Sequence, residues 1–267
     1  MAELVMVHGA FHEMWGPFRL GVRWTPSMMD GLWAAGVDVR HVPLERMNEA
    51  VSVAFWGDLV RPAPRPAEEV LAGLDDGSAH GITELASQFA SDGPHALDGV
   101  AKAMAAETNR RSMELLARYF TDPATRSAIH ARVDHHLGAD TKVVVAHSMG
   151  TVIAYQVLCA RPDLRVDLIT LGSPLGTPGL VLDQLDPPPV DGRGVWPECV
   201  QRWTNVAAEG DLATMAAPRL ADVFGDGVHD AYVFNGRHPH DIEPYLTCAA
   251  TGRGLADALG FPIRSAG

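Results

Sequence analysis

A buried strand followed at once by a serine turn and a helix constrains this chain more than any other feature. Residues Thr141–Ala146 form a continuous apolar run, which is typical of a parallel strand covered on both faces. A helical pattern follows over Met149–Ala160, and the turn between them reads Ala146-His147-Ser148-Met149-Gly150. Small residues at both ends let the strand and helix backbones approach closely while the serine hydroxyl projects above the sheet. The pattern predicts Ser148 as a nucleophile; the alternative is a serine that only caps the helix.

The rest of the chain predicts an α/β fold with a mostly parallel central sheet of about six strands flanked by helices. Short β-branched runs alternate with helical stretches, as in βαβ units. The strands are predicted over Leu4–Val7, Val37–Val42, Thr141–Ala146, Val166–Leu171, Arg202–Ala207 and Tyr232–Asn235. Further helices are predicted over Pro26–Ala35, which Gly36 ends, and from Asp241 toward Ala250. A chain of 267 residues is expected to form one domain of this class.

Residues 82–137 contain no convincing strand and predict helices instead. The helical patterns cover Ile82–Ala90, Leu97–Phe120 and Pro123–Leu137, with Pro123 at the first position of the last helix. A parallel sheet normally needs one helix for each connection, so we expect a helical insertion or cap before the serine strand. Its position, over a sheet edge or over the site, stays open.

Three segments make the chain similar to the α/β-hydrolase superfamily, and to bacterial lipases and esterases within it. Residues 148–155 resemble the nucleophile helix, and Leu171-Gly172-Ser173-Pro174-Leu175-Gly176 resembles the segment after the next strand. Phe55-Trp56-Gly57-Asp58 is similar to a Trp-Gly-Asp element upstream. The resemblance runs from Leu4 to about Leu246 but is only pattern-level across residues 82–137. It implies an α/β-hydrolase fold and a serine esterase or lipase activity.

The acid that the resemblance implies is Asp211. In the family the order is serine, then Asp or Glu, then His, and the acid lies on a loop after a strand. Asp211 follows the predicted strand Arg202–Ala207 in the turn Glu209-Gly210-Asp211. The other aspartates beyond Ser148 that were weighed lack a strand immediately before them: Asp183, Asp186, Asp191, Asp222 and Asp226.

The base that the resemblance implies is His240, beyond the last predicted strand and before Asp241. His238 lies two residues earlier and is the alternative, because a shift in register would exchange the two. His229 precedes the predicted strand and should fall at its wrong end. In the expected mechanism His240 deprotonates Ser148, and Asp211 orients the imidazole.

An oxyanion hole is expected from two backbone N–H groups. One belongs to Met149, directly after the nucleophile, and the other to Ala10 in the turn after the first strand, with Phe11 as the neighbouring possibility. The alternative for that turn is a tight loop in which His8 is simply held by hydrogen bonds. Phe11, Met14 and Trp15 are candidates for the substrate pocket, although most aromatic and Met side chains of this region are expected in the core.

Composition excludes several other classes. A net charge of −12 disfavours nucleic acid and anionic membrane surfaces as partners, and no apolar run is long enough to cross a bilayer. Three scattered cysteines and no signal-like segment favour a soluble, cytoplasmic protein. His135 and His136 point about 100° apart on a helix, so we expect no metal site. No Gly-x-Gly-x-x-Gly turn follows the first strand, so we expect no dinucleotide cofactor.

The expected function is therefore cleavage of a carboxylic ester, with a lipid-like or medium acyl group, through an acyl-enzyme on Ser148. The same residues would serve a thioesterase, an amidase or peptidase, or an acyltransferase, and the fold does not choose among these. A non-catalytic hydrolase-like binding protein is the alternative from another class; such proteins usually lack one of the three residues. The partner is expected to be a small acyl substrate, and the oligomeric state stays open.

Overall fold

The computed structural model describes residues 2–61, 63, 64, 66, 68, 111–216 and 219–264. The chain divides into two compact units, one formed by Met1–Val60 with Asp122–Gly267 and the other by Arg61–Thr121. The larger unit contains every residue predicted for the site. Within the smaller unit, residues 111–121 are helical. The helix predicted over Ile82–Ala90 lies outside the described residues.

The larger unit is built on a parallel sheet, which confirms the predicted α/β class. Within the described residues, six strands pair in the order β2-β1-β3-β4-β5-β6, and every neighbouring pair is parallel. The strands are β1 (Leu4–Val7), β2 (Val51–Ala54), β3 (Val143–His147), β4 (Val166–Leu171), β5 (Val200–Ala208) and β6 (Val228–Val233). Because the strands are parallel, their carboxyl ends share one edge of the sheet. The loops that follow β1, β3, β5 and β6 start at that edge.

Helices cover both faces of the sheet. They are α1 (Pro17–Ala34), α2 (Leu44–Ala50), α3 (Pro123–Asp134), α4 (Met149–Cys159), α5 (Ala221–Phe224), α6 (Ile242–Thr247) and α7 (Ala249–Leu259). Alternate strand residues such as Met6 and Val145 join one core cluster with α1, α6 and α7. The residues that point the other way, such as Val144, are also buried, and α4 packs against β1 and β3. Double coverage explains why β3 is apolar throughout.

The second strand was predicted in the wrong place. Val37–Val42 is not a strand: Val37 makes one antiparallel bridge with Ile263, and Val39–His41 is a turn of 3-10 helix. The strand next to β1 is instead Val51–Ala54, which was not predicted. Residues 37–40 alternate apolar and polar side chains, as an edge strand does. The actual strand, Val51–Ala54, has four residues, which are too few to show a period. Tertiary pairing with β1 decides between the two segments.

Other boundaries differ for local reasons. Helix α1 begins nine residues before the predicted start, at Pro17, and contains Pro26 in its interior, where a proline usually ends a helix. Strand β6 covers Val228–Val233 rather than Tyr232–Asn235. It is an edge strand and only partly buried, so it contains polar residues and lacks the apolar run by which a buried strand is predicted. The closing helix is broken at Cys248 into α6 and α7.

The prediction for Pro123 is confirmed. Pro123 opens α3, and the Asp122 carboxylate accepts hydrogen bonds from the N–H groups of Ala124 and Thr125. This helix ends at Asp134, so residues 135–137 lie beyond it, and it packs against α4 in the larger unit. Of the residues predicted as a helical insertion, those from Asp122 onward thus belong to the unit that carries the sheet.

Candidate active site

Ser148 sits on a sharp turn between β3 and α4. Its backbone has φ 54° and ψ −131°, a conformation that residues other than glycine rarely adopt. The turn is crowded: a Cβ on Gly150 would lie 2.5 Å from the carbonyl oxygens of Val7 and His8. A Cβ on Gly9 would lie 2.7 Å from the Cβ of Ser148. Glycine is therefore required at position 150, as the sequence of the serine turn predicted, and also at position 9 in the neighbouring turn after β1.

The hydroxyl of Ser148 does not cap the helix. No side-chain hydrogen bond joins it to the first turn of α4, although Ser148 occupies the N-cap position. Its Oγ lies instead 2.8 Å from Nε2 of His240, on the loop between β6 and α6. The alternative from sequence, a serine that only caps the helix, therefore does not describe this hydroxyl.

His240 lies between Ser148 and Asp211. Its Nδ1 is 2.9 Å from both carboxylate oxygens of Asp211, so the carboxylate selects the tautomer with the proton on Nδ1. Nε2 is then free to accept the Ser148 proton. His238 is exposed and meets this loop only through its carbonyl oxygen, which accepts from the N–H of Asp241.

His229 lies within β6 rather than before it, which corrects the prediction of its place. It pairs with Thr204 near the amino end of the strand, far from the sheet edge that carries Ser148. His229 is therefore too far from Ser148 to act as its base, because it lies at the wrong end of the strand, as the sequence predicted.

Asp211 is fully buried, with 0% of its surface exposed, in the turn after β5. The N–H of Ala213 donates to Oδ1 at 2.9 Å, and the hydroxyl of Tyr245 donates to Oδ2 at 2.5 Å. Each oxygen thus has one fixed donor in addition to the imidazole. A buried carboxylate needs such donors because burial without them strongly disfavours the charged form.

Gly172, directly after β4, leaves room for this arrangement. Its φ is +55°, and a Cβ there would lie 2.9 Å from Oδ2 of Asp211 and 3.3 Å from Nδ1 of His240. The position therefore requires glycine twice over, for its backbone conformation and for the space beside it. Gly172 belongs to the segment 171–176 whose resemblance was noted from sequence.

His147 and Tyr245 are contributors that the sequence did not single out. The Nε2–H of buried His147 donates to the backbone carbonyl of His240 at 2.9 Å. Burial, reinforced by the neighbouring His240, holds the pKa of His147 well below its ordinary value, so the ring stays neutral. The only available signals were positions: His147 precedes the nucleophile, and Tyr245 follows the base by five residues.

The turn after β1 is held by His8. Its Nδ1–H donates to the carbonyl of Gly9 at 2.8 Å, and its Nε2 accepts from the N–H of Trp56 at 3.2 Å. The ring stacks on Trp56 with centroids 4.3 Å apart, and burial lowers the pKa of His8 to about 3. The neutral ring thus fixes the backbone that leads to Ala10. The turn is therefore held by hydrogen bonds from His8, the alternative that the sequence also predicts. These bonds leave the N–H of Ala10 available for an oxyanion hole, so the two interpretations are compatible.

The two predicted oxyanion donors lie at this edge. Met149 is the first residue of α4, so its N–H has no acceptor within the helix. Ala10 is buried in the turn after β1, while the neighbouring Phe11 adopts φ 69° and is 39% exposed. Gly9, in the same turn, approaches the Cβ of Ser148, which places the turn beside the elbow.

The predicted pocket residues separate into two groups. Phe11 and Met14 are exposed, Met14 by 68%. Trp15 is partly buried beneath the guanidinium groups of Arg19 and Arg23, 3.9 and 4.9 Å above its ring, so it is less available to a substrate. Three exposed apolar side chains that sequence reasoning missed follow β5 and β6: Leu212, Met215 and Phe234.

Two surface grooves do not include these residues. One is lined by Trp33, Asp38 and Arg264 among others, and the second by Trp196, Arg202 and neighbouring residues. Among the described residues, no three His, Cys, Asp or Glu side chains are grouped as a metal ion requires. None of the helices in the described ranges combines the length and apolar character of a bilayer span.

Comparison with known proteins identifies no relative. The chain matches no protein-family profile, and neither a curated protein nor a solved structure is detectably similar to it. The arrangement of the site residues is therefore the basis for assigning a function.

Proposed function

We propose that this chain is a serine hydrolase of the α/β-hydrolase fold that cleaves carboxylic esters. The single observation that carries the proposal is the chain of hydrogen bonds from Ser148 Oγ through His240 to Asp211, at 2.8 and 2.9 Å. A nucleophile, a base and a buried acid in this geometry match the requirements of covalent acyl transfer. Binding alone does not require a serine held at positive φ with its hydroxyl aligned on an imidazole.

The proposed reaction follows from these positions. Ser148 Oγ attacks the acyl carbonyl carbon while Nε2 of His240 takes the hydroxyl proton. The carbonyl oxygen becomes negative and accepts hydrogen bonds from the N–H groups of Met149 and Ala10. His240 then gives its proton to the departing alcohol, which leaves an acyl-enzyme. Water, deprotonated by the same imidazole, then attacks the acyl carbon. The bond from that carbon to Ser148 Oγ breaks, His240 returns the proton to Oγ, and the acid is released.

The charges around His240 support its role as the base. The buried Asp211 carboxylate lies against the imidazole and stabilises the positive charge that forms when the ring takes the Ser148 proton. His147 lies 4.8 Å from the His240 ring and stays neutral, so it adds no competing positive charge.

The substrate is proposed to carry an apolar acyl group of lipid-like or medium length. Exposed apolar side chains lie on three loops at the sheet edge that carries Ser148: Phe11 and Met14 after β1, Leu212 and Met215 after β5, and Phe234 after β6. A contiguous exposed apolar patch marks a binding surface, and we propose that these side chains together bind the acyl group.

Hydrolysis of p-nitrophenyl esters by wild type and Ser148→Ala tests the proposal. Turnover should fall by several orders of magnitude in the variant, because removing a triad nucleophile leaves only the contributions of binding and the oxyanion donors. A matched panel of thioester and amide substrates separates an esterase from a thioesterase or amidase, and added alcohol acceptors reveal acyl transfer. Ser173→Ala is the control, since Ser173 Oγ is buried against Thr151. Equal ester turnover by wild type and Ser148→Ala would exclude the proposed mechanism.

A further inference from the structure

Tyr245 makes a hydrogen bond to Asp211 that catalysis by three residues alone does not require. Its hydroxyl donates to Oδ2 at 2.5 Å, and both side chains are fully buried. Burial, and the carboxylate beside it, raise the pKa of Tyr245 well above its ordinary value. The phenol therefore keeps its proton and remains a donor across the whole pH range of interest.

We propose that Tyr245 is a positioning residue that holds the Asp211 carboxylate against His240 and limits how strongly the imidazole attracts a proton. The predicted effect on catalysis rests on the proposed function, in which His240 is the base. The effect of Tyr245 on Asp211 and His240 does not depend on which reaction is catalysed.

The two oxygens of the Asp211 carboxylate have different hydrogen-bond donors. Oδ1 accepts from the N–H of Ala213, and Oδ2 accepts from Tyr245, while the Nδ1 of His240 is equidistant from both. Without the phenol, Oδ2 has only the imidazole as a partner. The carboxylate is then held by Ala213 at Oδ1 and by the imidazole alone at Oδ2, and the negative charge that Tyr245 partly neutralises becomes more available to His240.

The fold makes room for Tyr245, Asp211 and His240 at one point, beside Gly172. A Cβ on Gly172 would lie 2.9 Å from Asp211 Oδ2, 3.2 Å from a ring carbon of Tyr245 and 3.3 Å from His240 Nδ1. The absent side chain at this residue is thus what lets the phenol, the carboxylate and the imidazole meet. Helix α6 begins two residues after His240, so a base and a phenol from consecutive segments converge on one acid.

The titratable groups around His240 come from three segments. Asp211 faces it from the loop after β5, Ser148 and His147 from the serine turn, and Tyr245 reaches the same carboxylate from α6. Tyr245 itself faces Asp211, the ring of His147 at 6.1 Å and Cys248. Because His147 and Tyr245 stay uncharged, Asp211 supplies the charge that sets the behaviour of the imidazole.

The test is Tyr245→Phe, which removes the hydroxyl and keeps the ring. We expect kcat for a p-nitrophenyl ester to fall roughly ten- to a hundredfold with KM within about twofold, the factor typical of a hydrogen bond to a charged group. The acid limb of the kcat/KM profile should move to higher pH by about half a pH unit or more. Tyr155→Phe is the matched control: it removes a buried hydroxyl that donates to the carbonyl of Val195, and it should leave the pH profile unchanged.

Two results would overturn the proposal. One is a folded Tyr245→Phe protein with wild-type kcat and pH profile; the other is a fall in kcat with an unmoved acid limb, which a merely structural role explains. If the phenylalanine variant does not fold, replacement of Tyr245 by 3-fluorotyrosine supplies a stronger donor of nearly the same shape. The acid limb should then move to lower pH, and an unmoved limb contradicts the proposal.

A measurement that needs no turnover separates this proposal from the proposed function. The imidazole of His240 is titrated by NMR in wild type and Tyr245→Phe. An upward shift of its titration midpoint in the variant supports the Tyr245 role even if no Ser148-dependent hydrolysis is found. An unchanged midpoint refutes that role even if the esterase activity is established.

Discussion

Gly172→Ala should have two effects: its Cβ would crowd Asp211 and His240, and its positive φ would cost stability. The two effects can be measured separately. A Cβ at this position would lie 2.9 Å from Asp211 Oδ2, whereas ordinary contacts begin at 3.4 Å, so the carboxylate must retreat by about half an ångström. A misplacement of about 1 Å at reacting groups can lower rates by about a hundredfold. We therefore expect kcat to fall at least about tenfold. The left-handed backbone adds a cost in stability of about 1–2 kcal/mol.

Gly179→Ala is the control, because Gly179 also has a positive φ, +71°, but a Cβ there meets nothing within 4 Å. Both variants should lose about 1–2 kcal/mol of unfolding free energy, measured by urea denaturation, from the left-handed conformation alone. Only Gly172→Ala should also lose ester hydrolysis. If the two variants hydrolyse p-nitrophenyl esters equally well, the argument that Gly172 makes room for the acid and base is refuted.

Three further predictions concern the fold and the base. Gly252→Ala places a methyl group against the backbone of α1 and should destabilise the protein by about 1–3 kcal/mol in urea unfolding. Gly21→Ala, inside α1, is the control: its Cβ would meet only a Val53 methyl group at 4.0 Å, so stability should not fall. Equal stability of the two variants contradicts the close crossing of α1 and α7. The pKa of His8 is lowered to about 3, so between about pH 6.5 and 3 the unfolded chain binds the proton that the folded protein excludes. The stabilisation from neutral His8 is therefore complete above about pH 6.5 and is lost on acidification: the free energy of unfolding should fall by about 2 kcal/mol from pH 7 to pH 5. A folded His8→Asn variant whose stability has the same pH dependence would exclude His8 as the cause. His240→Ala should lower ester hydrolysis by several orders of magnitude while His238→Ala stays near wild type, and the reverse ranking would show the wrong histidine as base.

The serine turn could be predicted because its determinants are local. The apolar run of β3, the small residues around Ser148 and the helix that follows are consecutive in sequence, and each reports a backbone requirement. Asp211 and His240 are predicted from the resemblance and from their positions after predicted strands. The structure brings both to Ser148 because the carboxyl ends of parallel strands share one edge of the sheet.

The features that the sequence could not supply depend on tertiary pairing. Strand β2 is four residues long, and its place beside β1 is decided by a register that no local pattern contains. The edge strand β6 is only partly buried, so it lacked the apolar signal of the central strands. The hydrogen bond from Tyr245 to Asp211 joins residues 34 apart, and only the assembled loops reveal it.

Covalent labelling of the nucleophile tests the central claim most directly. The full-length protein is treated with a fluorophosphonate, and the modified residue is located by peptide mass spectrometry. We expect a single phosphonyl group on Ser148, and a rate of labelling that falls steeply in His240→Ala. Labelling of wild type at another residue, or of Ser148 at an equal rate without His240, would contradict activation of this serine by that histidine.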